Sequence, residues 1–148
     1  MSEYETDTVL WAEHQAALLR RRLAGEAVNE EPDWENIIEE IEDLAGSRRH
    51  ALASHIRRIL EHQIKLAVSP APRPRDAWMR SIIQAQAAVD QLLEENPSLR
   101  REVPAIIERM LPKARKIALK TLETYGEQPT VDPDTLTFTA QQVLGDAP

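Results

Sequence analysis

Apolar residues recur along this chain at spacings of three and four over four long stretches, the period of helices with one buried face. The first stretch runs from Tyr4 to Leu23, where Trp11, His14, Leu18 and Arg22 fall on one face with Leu19 and Leu23 beside them. Arg20, Arg21 and Arg22 suit the negative C-terminal end of that helix, and Gly25 is placed to close it. A polar connector, Glu26 to Pro32, leads to Asp33, an N-cap acid that opens a second helix. Ile38, Ile41, Ala45, Arg48, Leu52, His55, Ile59, His62 and Leu66 then alternate by threes and fours, which predicts one long helix to about Val68. Gly46 and Ser47 interrupt the pattern without shifting its phase, so a bend or short break is expected there.

Three prolines in Ser69 to Arg75 (SPAPRPR) require a stiff connection. A third helix is predicted from Asp76 to Glu95, with Trp78, Ile82, Ala85, Val89 and Leu92 as its stripe. A fourth occupies about Leu99 to Tyr125. Its apolar face includes Val103, Ile106, Met110, Ala114, Ala118 and Leu122, and Arg109, Lys113, Lys116 and Lys120 line the other side. Pro104 suits its first turn, and Pro112 predicts a kink. The remainder is turn-rich and closes with a short helix near Thr139 to Leu144. The pattern predicts an all-α fold: a helical bundle of four main helices with a long, bendable second helix and a short C-terminal helix. It is read as a single domain over residues 1–148, with its core at about 4–125 and a tail at 126–148.

Composition narrows the chemistry. The chain has 148 residues and no cysteine, so disulfides, thiolate metal sites and cysteine nucleophiles are excluded. Four glycines leave no phosphate-cradling loop, no serine sits in a GxSxG or SxxK motif, and no cofactor is expected. No stretch approaches the roughly 20 apolar residues of a membrane span, and the acidic start MSEYETDTVL does not resemble a signal peptide. A cytoplasmic location without a membrane partner is therefore expected.

The net charge of −7 is uneven. Residues 1–45 hold thirteen acids and three bases, residues 46–80 hold eight bases and two acids, and residues 81–148 hold seven bases and ten acids. The acidic first third is expected to lie against the basic middle, and the overall charge argues against nucleic acid as a partner.

The candidate binding residues are His55, His62, Lys65, Arg58, Arg73, Trp78, Glu39 and Glu42. His55 and His62 occupy d-like seam positions and should point inward or toward a partner helix. They are seven residues apart, about 10.5 Å along a helix, too far to clasp one metal as an i,i+4 pair does. No metal is assigned, and His55, His62, Glu39 and Glu42 are the weak candidates for one. Arg58, Lys65 and Arg73, with Trp78 nearby, could cradle an anion. Glu39 and Glu42 share a face with Glu35, but no ExxH accompanies them, so a solvated or ion-paired acidic face is the simpler reading.

The run DWENIIEEIEDLAGSRRHALASHIRRILEHQIKL (Asp33 to Leu66) resembles the core signature of the bacterial family called domain of unknown function 29. YETDTVLWAEHQAALLR (Tyr4 to Arg20), Trp78 within RDAWMRSI, and NPSLR followed by Arg101 resemble its flanking features. The resemblance implies a compact helical fold from bacteria and assigns no activity. It draws attention to Glu39, Glu40, His55, His62 and Trp78. Gln86 stands where the family more often has a basic residue. No catalytic spacing occurs, and the expected function is a non-enzymatic helical interaction module that self-associates, as a dimer, or binds another protein. The alternative is a bundle that binds a small molecule, anion or metal, with or without catalysis, through the His55/His62 face.

Overall fold

The structure, a computed structural model, describes residues 1–71 and 74–146. It is all-α, with no strand among the described residues. The α-helices are α1 (Glu3–Thr6), α2 (Thr8–Leu23), α3 (Trp34–Val68), α4 (Arg75–Glu95), α5 (Val103–Thr124) and α6 (Ala140–Leu144). Two 3-10 segments, Pro97–Glu102 and Pro133–Thr135, lie between them. The chain divides into two compact units, Met1–Ser47 and Arg48–Pro148.

The first unit is a helical hairpin. Its expected first helix is broken at Asp7, whose extended backbone ends α1 and whose carboxylate accepts from the Leu10 N–H at 2.9 Å to start α2. A short acid that satisfies an orphan N–H competes with continuing the helix through it. Ala24 caps α2, and Gly25 takes the left-handed conformation at φ +80° that a C′ position favours. The chain then returns through Pro32 and Asp33 into α3.

The α3 helix runs unbroken through Gly46, where an added Cβ would meet nothing within 4 Å. The bend or break expected there is not needed to keep the helix going. One glycine costs only about 1 kcal/mol in a helix interior, which a 35-residue hydrogen-bonded ladder absorbs. α5 is likewise continuous across Pro112.

The second unit holds the hydrophobic core. Leu52, Ile56, Ile59, Leu60, Ile64 and Val68 of α3 are sealed from solvent and meet Val89 and Leu93 of α4, Val103, Ala114 and Leu122 of α5, and Val143 of α6. The C-terminal segment is part of this unit. Gln86 and Gln63 each donate a side-chain N–H to carbonyls in α6, of Val143 at 3.0 Å and Gln142 at 2.9 Å. Arg115 donates to the Leu136 carbonyl at 2.6 Å, and the Thr130 N–H reaches the Val68 carbonyl at 2.8 Å. The neutral amide at position 86 thus has a structural task, since it anchors α6.

Candidate functional site

Within the second unit, four of the sequence candidates lie on the last turns of α3. The buried face there centres on Ile56, Ile59, Leu60 and Ile64, so His55 and His62 sit at its edge, half-buried. The His62 ring has a buried Nδ1 with no hydrogen-bond partner among the described residues. Burial, followed by the charges of Lys65 and Arg58, lowers its pKa to about 4, so the ring is neutral at pH 7. The residue expected to extend a basic stripe therefore carries no charge there. Arg58 is exposed.

Lys65 is only 7% exposed, unusual for a lysine. Its ammonium lies 5.2 Å from the centroid of the Trp78 ring on α4, close enough for a cation–π contact with a buried tryptophan face. Burial lowers the Lys65 pKa and the Glu61 carboxylate opposes that shift. The same burial raises the pKa of Glu61, against the pull of Arg57, Lys65 and Arg58. The structure thus brings Lys65 and Trp78 together as a packed pair. The contact covers most of the Lys65 side chain, which leaves little of it open to an external anion. Arg73 lies outside the described residues.

Glu39 and Glu42 belong to the first unit and are exposed on α3. Their neighbour Glu40 accepts from the Tyr4 hydroxyl at 2.8 Å, and that bond, with some burial, pushes the Tyr4 pKa up to about 12. Among the described residues, no three His, Asp or Glu side chains gather closely enough to hold a metal ion.

The hairpin of the first unit is closed by a hydrogen-bond network that the sequence pattern did not announce. Asp33 accepts from the Trp11 indole N–H at 2.9 Å and from the Asn36 amide at 2.7 Å. Its backbone N–H donates to the Gln15 side chain at 2.7 Å. The Asn36 bond, and after it the Trp11 bond, hold the Asp33 carboxyl below its ordinary pKa. Gln15, not His14, is therefore the buried polar residue of α2. His14 is exposed between Glu3 at 2.9 Å and Glu30 at 2.8 Å, and its pKa is raised, the Glu3 bond contributing most.

Beside this network runs a groove of about 250 Å³ lined by Trp11, Gln15, Leu19, Ile37, Ile41 and Leu44 among others. α3 contributes no buried residue before Leu52. Trp34, Ile38, Ile41 and Leu44 are 47%, 53%, 63% and 58% exposed. Of the seam of threes and fours read from the sequence, only Leu52 and Ile59 are buried; His55, His62 and Leu66 lie at the edge of the buried face, and Ile38, Ile41, Ala45 and Arg48 are exposed. Periodicity reports which residues share a face; it does not report whether anything covers that face.

The chain matches the family model described as domain of unknown function DUF29 over residues 3–147, and it belongs to that family. No curated protein and no solved structure matches it. No described helix is long and apolar enough to cross a membrane.

Proposed function

From the DUF29 fold and the open face of its hairpin, we propose that this chain is a non-enzymatic helical interaction module of the bacterial cytoplasm that self-associates through its first unit. One observation carries the reading: Ile41 and Leu44 line an apolar groove yet remain more than half exposed, as does Ile38 one turn before Ile41. Monomeric proteins rarely leave such a stripe to water, because each buried CH₂ contributes roughly 0.8 kcal/mol. A helical pair of this size also buries little on its own; only Trp11, Gln15 and Leu18 of α2 and no residue of α3 before Leu52 are buried. Units near 40 residues commonly gain the missing stability by association.

A second copy is the occupant that the pattern favours. Trp34, Ile38, Ile41 and Ala45 recur at 4, 3 and 4, the narrow seam of paired helices. A two-fold axis lets two such stripes cover each other, each contact being made twice. Glu35, Glu39, Glu42 and Asp43 fall off the stripe, so pairing does not bury their charge.

Salt tests this choice of partner. The thirteen acids and three bases of residues 1–45 repel a like unit. Raising sodium chloride from about 0.05 to 0.5 M, which shortens the screening length severalfold, should therefore tighten self-association. A basic partner helix would show the reverse. Sedimentation equilibrium of the full chain is the assay. A dimer that tightens with salt and dissociates in Ile41→Asp, with helix content retained, is the expected result. A chain that stays monomeric at every salt and protein concentration overturns the proposal.

A further inference from the structure

The second unit contains a cleft of about 370 Å³ between α3 and α5, away from the His62–Lys65 face in sequence and composition. It is lined by Arg49, His50, Ala53, Ser54 and Arg57 of α3 and by Arg109, Met110 and Lys113 of α5. Four of these residues are basic (three arginines and a lysine), one is an imidazole, and none is acidic. From this cluster we infer a binding site for a small organic phosphate carrying at least two negative charges.

The charges in the cleft are incompletely matched within the chain. Arg49 pairs with Glu102 at 3.0 Å, and Arg57 lies 3.0 Å from Glu61. The Arg57 pair is close, but the buried Nε makes no hydrogen bond, so its N–H is not aimed at that oxygen. His50, Arg109 and Lys113 make no ion pair or hydrogen bond to another described residue. Even with both carboxylates counted, the cleft keeps an excess of two positive charges. Concentrating like charges on two facing helices costs stability, and an anion between them reverses the sign of that cost.

The form of the cleft indicates the class of anion. Arginine forks pair with phosphate oxygens through two parallel hydrogen bonds, and lysine adds a point charge. The Ser54 hydroxyl can donate to a further oxygen. Ala53 and Met110, 6% and 8% exposed, supply apolar wall for the carbon body that bears the phosphate. The volume lies within the roughly 300–1,000 Å³ of small-molecule sites. Size also argues for a small ligand over a nucleic acid. A compact anion senses charges within a screening length of about 8 Å, whereas a duplex spanning the surface meets a chain of net charge −7.

The separate signals were in the sequence: Arg49, Ala53 and Arg57 repeat every four residues, as do Arg109 and Lys113. What periodicity could not supply was that these two faces line one cleft.

Calorimetric titration of the full chain with inorganic pyrophosphate, at constant ionic strength, tests the site. The exposed pair Arg109→Gln/Lys113→Gln should raise the dissociation constant by about tenfold or more, the scale of one or two lost charge-assisted hydrogen bonds. The control Lys116→Gln/Lys120→Gln removes the same charge from the same helix outside the cleft and should change it by less than about twofold. Equal losses in the two pairs, or no pyrophosphate binding by the parent chain, would overturn the inference. So would tighter binding of a short DNA duplex or of anionic phospholipid vesicles than of pyrophosphate, since either assigns the phosphate to a polymer or a membrane surface.

Discussion

The neutral, half-buried His62 makes a quantitative pH prediction. A free imidazole takes up its proton near pH 6.5, but burial and the neighbouring Lys65 and Arg58 hold His62 to about 4. As pH falls through 6.5, the unfolded chain binds a proton at this position and the folded chain does not, so the unfolded state is favoured. The stability associated with His62 is therefore complete above about pH 6.5, declines between 6.5 and 4, and is lost below 4. The full displacement corresponds to at most about 3.5 kcal/mol, at 1.36 kcal/mol for each tenfold in proton affinity. Water still reaches part of the ring, which reduces the expected loss to about 1–2 kcal/mol. Urea unfolding followed by circular dichroism, at steps from pH 7.5 to 4.5, measures it. The parent and His62→Gln curves should converge by about 1–2 kcal/mol across the window, because the variant has nothing to protonate there. Subtracting the two removes the titration of the other histidines and the carboxylates. Parallel curves, or a ring that titrates near 6.5 by NMR, would refute the reasoning.

Two further predictions separate the sealed from the open part of the fold. Ile59→Ala removes buried carbons from the second unit's core and should cost about 2–5 kcal/mol at any protein concentration. Ile41→Ala, at a position 63% exposed, should cost under about 1 kcal/mol in dilute solution and more as concentration rises, because the lost contact is then with another copy. Urea titrations at low and high protein concentration compare them, and a concentration-independent cost at Ile41 would speak against pairing. Asp33→Ala should loosen the hairpin, seen as faster amide exchange in α2 with α4 and α5 unchanged. Because the Asp33 carboxyl is held below its ordinary pKa, its contribution is present above pH 4 and fades as pH falls through the lower folded value. A variant whose α2 exchanges like the parent's would show that the carboxylate's bonds to Trp11 and Asn36 do not hold the hairpin.

What the chain disclosed about itself follows from the range of each interaction. Helix limits depend on near neighbours, so α3 and α4 begin and end within a residue of their expected bounds. The Asp7 break was overlooked because a hydrophobic face reads across it, while a single side-chain bond to Leu10 decides the backbone. The exchange of His14 for Gln15 on the buried face depends on Asp33, eighteen residues from Gln15, and no periodicity encodes that bond. Lys65 read as a surface cation because its stripe is basic; the packing of Trp78 against it, with the charge of Glu61, favours its partial burial. Of the seam read from Ile38 to Leu66, Leu52 and Ile59 are sealed, His55, His62 and Leu66 lie at the edge of the buried face, and Ile38 and Ile41 are open. That contrast, which arises from the fold and not from the sequence period, is the basis of the functional proposal.

Self-association through the hairpin can be tested without disturbing the stripe. The chain lacks cysteine, so Ser47→Cys, at an exposed position at the end of the first unit, provides one attachment point for a nitroxide label. Pulsed electron–electron resonance on the labelled chain should give a defined distance between copies on the order of 20–40 Å, a few helix diameters. It should vanish when Ile41→Asp is added. A signal showing only the uniform background of dispersed monomers, at concentrations well above those used for sedimentation, would contradict the account.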